Sequence, residues 1–371
     1  MNDAKQSYAN LLERVRTFPL RRTRTTRAKG STSSPPFDRL MATNQVLEEN
    51  GLPIRPDPRT EPELFLLWGL MVGPPFIQVE PEFQVSLPPP ADNRENLAGR
   101  RRQSTIHRLE SSRNWSGAYI TPERPNRFVY IAGGWQVPDP SLPAVPPSGV
   151  DPLNGEYRSS TWIGVGGHRP ISISSLPQIG TTQFVKVVNG EITRTVHAFW
   201  EWWVKDKIYP PVHILNLEVN IGDEILASLT VKPDDKVLFH IKNQTRGKFT
   251  TFLVEPPPDP ILPLGTTAEW IMERPTFFDS PQLYPMPNYS DLTFRHCLAK
   301  SQVTGEWPVS NQKLDNVRLI RMYDAFDDPH RKAFVSLAEK LNSTTVRVFY
   351  REAGRDGGKG RGGWSGSSLS D

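Results

Sequence analysis

Two carboxyls, Glu201 and Glu269, and one carboxamide, Gln178, stand in apolar company in this chain. Gln178 sits inside Leu176-Pro177-Gln178-Ile179-Gly180. Glu269 alternates with Ile271 and Glu273 in Thr267-Ala268-Glu269-Trp270-Ile271-Met272-Glu273. Glu201 stands in the middle of His197-Ala198-Phe199-Trp200-Glu201-Trp202-Trp203. An acid among aromatics is paired, neutral or part of a site, because burial disfavours its charged form. Acids and amides so placed are the raw material of acid–base chemistry. Each also has a plain structural reading. Gln178 could cap a strand end, and Glu269 could face solvent beside Glu273. If that segment is a regular strand, Glu269 and Glu273 share one face.

Other chemistries lack their residues. There is no H-E-x-x-H for a zincin and no G-x-x-x-x-G-K-[ST] phosphate loop. There is no G-x-S-x-G nucleophile elbow. No Asp-Thr-Gly or Asp-Ser-Gly is present to anchor an aspartic dyad. The seven His show no metal-ligand spacing, and no cofactor is expected. The single Cys, Cys297, excludes an internal disulfide and a four-Cys zinc site. His296 beside it would point to the opposite face of a strand.

The elements that must position these groups are short strands. The chain has 371 residues, of which 37 are Pro and 26 Gly. So much Pro argues against a helical bundle, since Pro costs about 3 kcal/mol inside a helix. From 113 to 351, segments of four to eight residues rich in Val, Ile, Thr and aromatics alternate with turn clusters. Phe128 to Ala132, Ser160 to Val165, Gln183 to Val188, Thr193 to Val204 and Glu224 to Val231 are examples, as are Lys236 to Asn243 and Phe249 to Glu255. Asn189-Gly190 between two of them is a hairpin signal. The pattern predicts an all-β fold of antiparallel strands, a sandwich or a barrel. The strand around Glu201 carries aromatics on both faces, so both faces want cover.

Residues 1–112 read as a basic, Pro-rich arm, partly helical and with little core of its own. An amphipathic helix is expected from Ala4 to Phe18, with Tyr8, Leu11, Leu12 and Val15 on one side. Residues 1–113 carry 17 basic and 13 acidic groups, and the remaining 27 of each cancel. The charge excess thus lies on the arm, where a solvated arm is favoured over a nucleic-acid binder. Arg100-Arg101-Arg102 is a candidate site for trypsin-like processing. Residues 352–371 read as a disordered Gly- and Ser-rich tail. No apolar run reaches the roughly 18 residues of a membrane-spanning helix. The polar, Arg-rich start does not resemble a secretory signal, which makes cytoplasmic the default location.

Taken together, the motifs resemble the glutamic peptidases, the eqolisin or peptidase G1 family. They occur in that family's order as Asn114-Trp115-Ser116-Gly117-Ala118, Trp135-Gln136-Val137-Pro138, Thr161-Trp162-Ile163-Gly164, Leu176-Pro177-Gln178-Ile179-Gly180, Phe199-Trp200-Glu201-Trp202 and Ala268-Glu269-Trp270-Ile271. Pro285 to Phe294 extends the resemblance, which covers about residues 113–351. Gly166 and His197 stand where the family usually carries acids, and Arg274 replaces the acid after Glu273.

The resemblance implies an antiparallel two-sheet β-sandwich with a groove for an extended polypeptide. It implies metal-independent peptide hydrolysis by a Gln–Glu dyad, Gln178 and Glu269, at acidic pH. Trp115, Trp162, Glu201 and Trp202 would line the substrate groove. The arm would be a propeptide released near Arg102, and the family's location would be secreted. The competing expectations are an inactive sandwich that binds peptide or carbohydrate, and nucleic-acid binding by the arm alone.

Overall fold

The computed structural model describes residues 11–18, 38–86, 109–145, 150–151, 153–168, 175–205, 209–258, 261–277, 282–303, 310–325 and 332–351. Both Arg100–Arg102 and the 352–371 tail lie outside the described residues.

The N-terminal part gives β1 (Val15–Thr17), α1 (Asn44–Glu49), α2 (Pro62–Val72), β2 (Ile77–Gln78) and β3 (Phe83–Val85). The next strands are β4 (Leu109–Ser112), β5 (Trp115–Ile120), β6 (Arg127–Gln136), β7 (Pro140–Ser141), β8 (Asn154–Val165), β9 (Ser175–Val188) and β10 (Glu191–Val204). They are followed by β11 (Val212–Ile214), β12 (Glu224–Val231), β13 (Val237–Asn243), β14 (Lys248–Val254) and β15 (Ala268–Glu273). After β16 (Asn288–Tyr289), the chain closes with β17 (Leu292–Gln302), β18 (Ser310–Gln312), β19 (Arg318–Ala325), β20 (Lys332–Asn342) and β21 (Thr345–Tyr350). The protein is therefore all-β, mostly antiparallel, with few helices.

One ladder runs β1–β14–β13–β12–β6–β17. Another runs β3–β11–β10–β9–β8–β15–β5–β19. β17 joins them: its start pairs with β21 and its remainder with β6. The main core lies where the ladders face each other. Trp200 of the second packs against Phe239 and Phe252 of the first, with ring centroids 6.1 and 5.9 Å away. Trp270 is fully buried there and its indole N–H donates to the Ala132 carbonyl at 2.9 Å.

Alternation explains both sides of the second ladder. Odd and even side chains point to opposite faces, and here both faces are covered. Ile163, Ile179, Trp200 and Trp202 enter the main core. Trp115, Trp162, Leu176 and Phe199 form a separate apolar layer on the other face. The hairpin expected at Asn189-Gly190 joins β9 to β10, with φ of +52° and +82° at those residues.

The N-terminal part differs from expectation in two respects. Val15–Thr17 is a strand and not the end of a helix, because the free edge of β14 offers unpaired backbone groups. The arm also carries core. Leu47, Leu67, Trp68, Met71 and Val72 are buried against Ala132, Leu226 and Phe249. Lys242 fastens α2, donating through Nζ to the carbonyls of Leu70 at 2.7 Å and Gly73 at 2.9 Å. Residues 44–72 thus form a packed layer on the first ladder.

Candidate active site

Five adjacent strands, β5, β15, β8, β9 and β10, carry the candidate residues other than Trp202 on one face. Their registers set Tyr119, Glu269, Gly164, Gln178 and Glu201 in a row across the sheet. Two residues along, the next row is Gly117, Ile271, Trp162, Gly180 and Phe199. The third row is Trp115, Glu273, Ser160, Thr182 and His197. Gly180 is required at the centre: a Cβ there would lie 2.7 Å from the Trp162 Cβ and 2.1 Å from the Thr161 carbonyl oxygen.

A cleft of about 420 Å³ opens over this face, and Trp115, Gln178, Phe199, Glu201, Trp203 and Glu273 help line it. Gln178 is 3% exposed. Its Nε2 donates to Glu201 Oε2 at 2.8 Å, and its Oε1 has no hydrogen-bond partner among the described residues. Glu273 is cradled by indoles. Trp162 Nε1 donates to one of its oxygens at 2.7 Å and Trp115 Nε1 to the other at 2.9 Å. Asn114 Nδ2 adds a longer bond of 3.5 Å.

The two cleft carboxyls titrate far above the ordinary range. Burial pushes Glu201 up to about 8, with the nearby Glu273 adding to the rise and Gln178 opposing it. Burial pushes Glu273 up to about 7 against the indole and Asn114 hydrogen bonds. Raised folded-state values make these acids stabilising when protonated. Their contribution is fully present below the unfolded value of about 4.3 and is lost as pH rises through about 7 to 8. The melting temperature is therefore expected to be higher at pH 5 than at pH 9. Glu201→Gln and Glu273→Gln are each expected to shrink that difference; thermal melts across this range check it, and an unchanged pH dependence in both variants would contradict it.

The structure brings together some of the expected residues and separates others. Gln178, Glu201 and Trp115 line the cleft. Trp162 is fully buried beneath it and reaches Glu273 through its indole N–H. Trp202 does not face the cleft; it is 1% exposed in the main core. Trp203 takes that place, since it shares a face with Glu201.

Glu269 shares the face of Glu273, as the two-residue period requires, yet it does not line the cleft. It is fully buried, and its Oε1 accepts from the Thr267 hydroxyl at 2.5 Å. Burial pushes its pKa well up, opposed by Thr267 and the His168 backbone amide. The His168 ring lies 4.0 Å from that of Tyr119, the cross-strand neighbour of Glu269. Glu110 ties this cover down, with His168 Nε2 2.8 Å from its Oε2 and the Tyr119 hydroxyl 2.5 Å from its Oε1. Sequence reading missed Glu273 and Trp203 as cleft groups. Alternation from Glu201 would have found Trp203.

Among the described residues no group of three or more His, Cys, Asp and Glu is placed to hold a metal ion. Cys297 is buried, and burial pushes its thiol pKa well up.

A family model described as the Peptidase A4 family matches residues 113–322. The chain belongs to this family, the glutamic or eqolisin peptidases. It is thereby a peptidase-type hydrolase, with polypeptide as its substrate class. No curated protein matches it. Among solved structures it is similar to scytalido-glutamic peptidase bound to a peptide-based transition state analog, at 18% identity and a TM-score of 0.47. That match covers 64% of this chain and 98% of the other. SCP-B, an eqolisin in complex with the tripeptide Ala-Ile-His, matches at 16% identity and a TM-score of 0.43 over the same shares, 64% and 98%. Aspergilloglutamic peptidase from Aspergillus niger matches at 20% identity and a TM-score of 0.40, over 53% of this chain and 99% of that one.

Proposed function

We propose that the protein is an endopeptidase that hydrolyses peptide bonds with a water activated by Glu273 and a transition state held by Gln178. The observation that carries this is the convergence of Gln178, Glu201 and Glu273 on one cleft, from which Glu269 is excluded. We read the two facing ladders as the two layers of a β-sandwich, with the cleft on the outer face of one.

In this reading Glu273 takes a proton from water as the water oxygen attacks the scissile carbonyl carbon. The carbonyl electrons move to oxygen. Gln178 has two amide N–H donors, one of them already given to Glu201, so the other can meet the oxyanion. Its unpartnered Oε1 can accept from the attacking water. Glu273 then passes its proton to the amide nitrogen, and the C–N bond breaks to give a carboxylic acid and an amine. No metal or covalent acyl-enzyme enters these steps.

The two indoles orient Glu273, and Glu201 orients Gln178. Glu201 serves best protonated, since a second negative charge beside Glu273 would oppose the oxyanion. We therefore place the working range well above the strongly acidic range implied by the resemblance, near neutral pH between the two limbs. The pH profile of kcat/KM is expected to be bell-shaped. It falls on the acid side as Glu273 takes up a proton, near 7, and on the alkaline side as Glu201 loses one, near 8. These limbs belong to the coupled pair. A maximum below pH 3 would sink the assignment.

Residues 1–112 remain a proposed separate region, with the release of a propeptide limited by the packing of residues 44–72 on the body. If the uncut chain is fully active, the propeptide idea fails.

A further inference from the structure

The cleft also holds a cation that the chemistry above does not use. Arg158 lies on β8, two residues before Ser160, which pairs with Glu273. It shares the face of Ser160 and Trp162 and lines the cleft. Phe184 is its partner across β9. The guanidinium carbon sits 4.8 Å from the Phe184 ring centroid and 4.0 Å from that of Tyr284. Its Nε is paired with Glu156. Its two Nη nitrogens have no hydrogen-bond partner among the described residues, and the side chain is 17% exposed. The Tyr284 hydroxyl is likewise buried without a partner among the described residues. His213 lines the same end, but burial, His197 and Arg158 hold its pKa down to about 4. Above that pH, Arg158 is the one cation among the described residues lining the cleft.

We propose that Arg158 forms a subsite for an acidic side chain of the substrate, an aspartate or glutamate close to the bond that is cut. This rests on the peptidase reading above. A guanidinium offers parallel N–H donors that match a carboxylate. The two aromatic rings fix its plane, and Glu156 occupies only the Nε side, so the Nη groups are prearranged for a ligand. The spacing fits an extended peptide. Same-face side chains repeat about every 7 Å along a strand, and Arg158 lies two residues from the row of Glu273. Glu201 keeps its proton below about 8, and Glu156, held on the Nε side, leaves the Nη side of the guanidinium to face the acidic side chain.

The test uses peptides that differ only by Glu or Gln at each position around the scissile bond. Cleavage is measured with wild type, Arg158→Lys and Arg158→Gln at about pH 6 and pH 3. Binding is measured in parallel with the same peptides carrying a reduced, non-cleavable bond. At one position wild type is expected to favour Glu by tenfold or more at pH 6. The ratio should fall in Arg158→Lys and approach one in Arg158→Gln. In the binding measurement it should also approach one at pH 3, where the substrate carboxyl, with an ordinary pKa of about 4.3, is protonated. Equal handling of Glu and Gln peptides by wild type would overturn the subsite, as would a preference that survives Arg158→Gln. Cleavage without acidic preference overturns the subsite alone. Arg158-dependent binding of the Glu peptide without cleavage overturns the hydrolytic reading and keeps the subsite. If Arg158→Gln does not fold, the wild-type ratio and its loss at pH 3 decide the matter.

Discussion

Glu273→Gln is expected to lower kcat by about 10²–10⁴-fold, the usual contribution of a positioned general base. The amide keeps the size of the carboxyl, and its oxygen can still accept from one of the two indoles, Trp115 or Trp162, while its NH2 faces the other. What it removes is the ability to take a proton from water. Glu269→Gln is expected to cost far less, because Glu269 is buried away from the cleft against Thr267. Steady-state kinetics on one peptide, with melting curves to establish folding, separate the two. A Glu269→Gln loss matching that expected of Glu273→Gln would return the base to Glu269. The comparison is sharp because both acids lie on one strand, on one face, four residues apart.

Gln178→Ala is expected to cost about 10²–10³-fold in kcat with a smaller change in KM, as removal of an oxyanion donor does. The substitution removes the donor to Glu201 as well. Without that bond, which holds the Glu201 value down, the Glu201 carboxyl should titrate higher still. The alkaline limb of the pH profile should then move up in the residual activity. Loss of kcat with that shift supports the shared role of Gln178. A change confined to KM would mean that Gln178 only binds substrate.

Much of this arrangement is legible in the sequence. Alternating strands, the Asn189-Gly190 hairpin and the isolation of Glu201 among aromatics follow from two-residue periodicity and turn chemistry. That both Glu269 and Glu273 share a face follows in the same way. Which of them meets solvent does not, because it depends on what lies on top. His168, from the segment after β8, sits by Glu269 and leaves Glu273 open to the cleft. The exchange of Trp202 for Trp203 was within reach of alternation alone. The Arg158 cluster was not, because Arg158, Phe184, His213 and Tyr284 come from four segments that only the tertiary fold unites. The N-terminal core was obscured for a different reason. Its Pro-rich composition suggests an open arm, whereas α2 carries Leu67, Trp68, Met71 and Val72 that bury against the neighbouring sheet.

The most direct test of the central claim is digestion of a peptide library at pH values from about 3 to 9, read by mass spectrometry with a chelator present. Wild type, Glu273→Gln and Glu269→Gln are compared side by side. Cleavage by wild type and by Glu269→Gln, lost in Glu273→Gln, is the expected result. Cleavage that persists in Glu273→Gln, or no cleavage by wild type at any pH, would contradict a hydrolytic cleft built on Gln178 and Glu273.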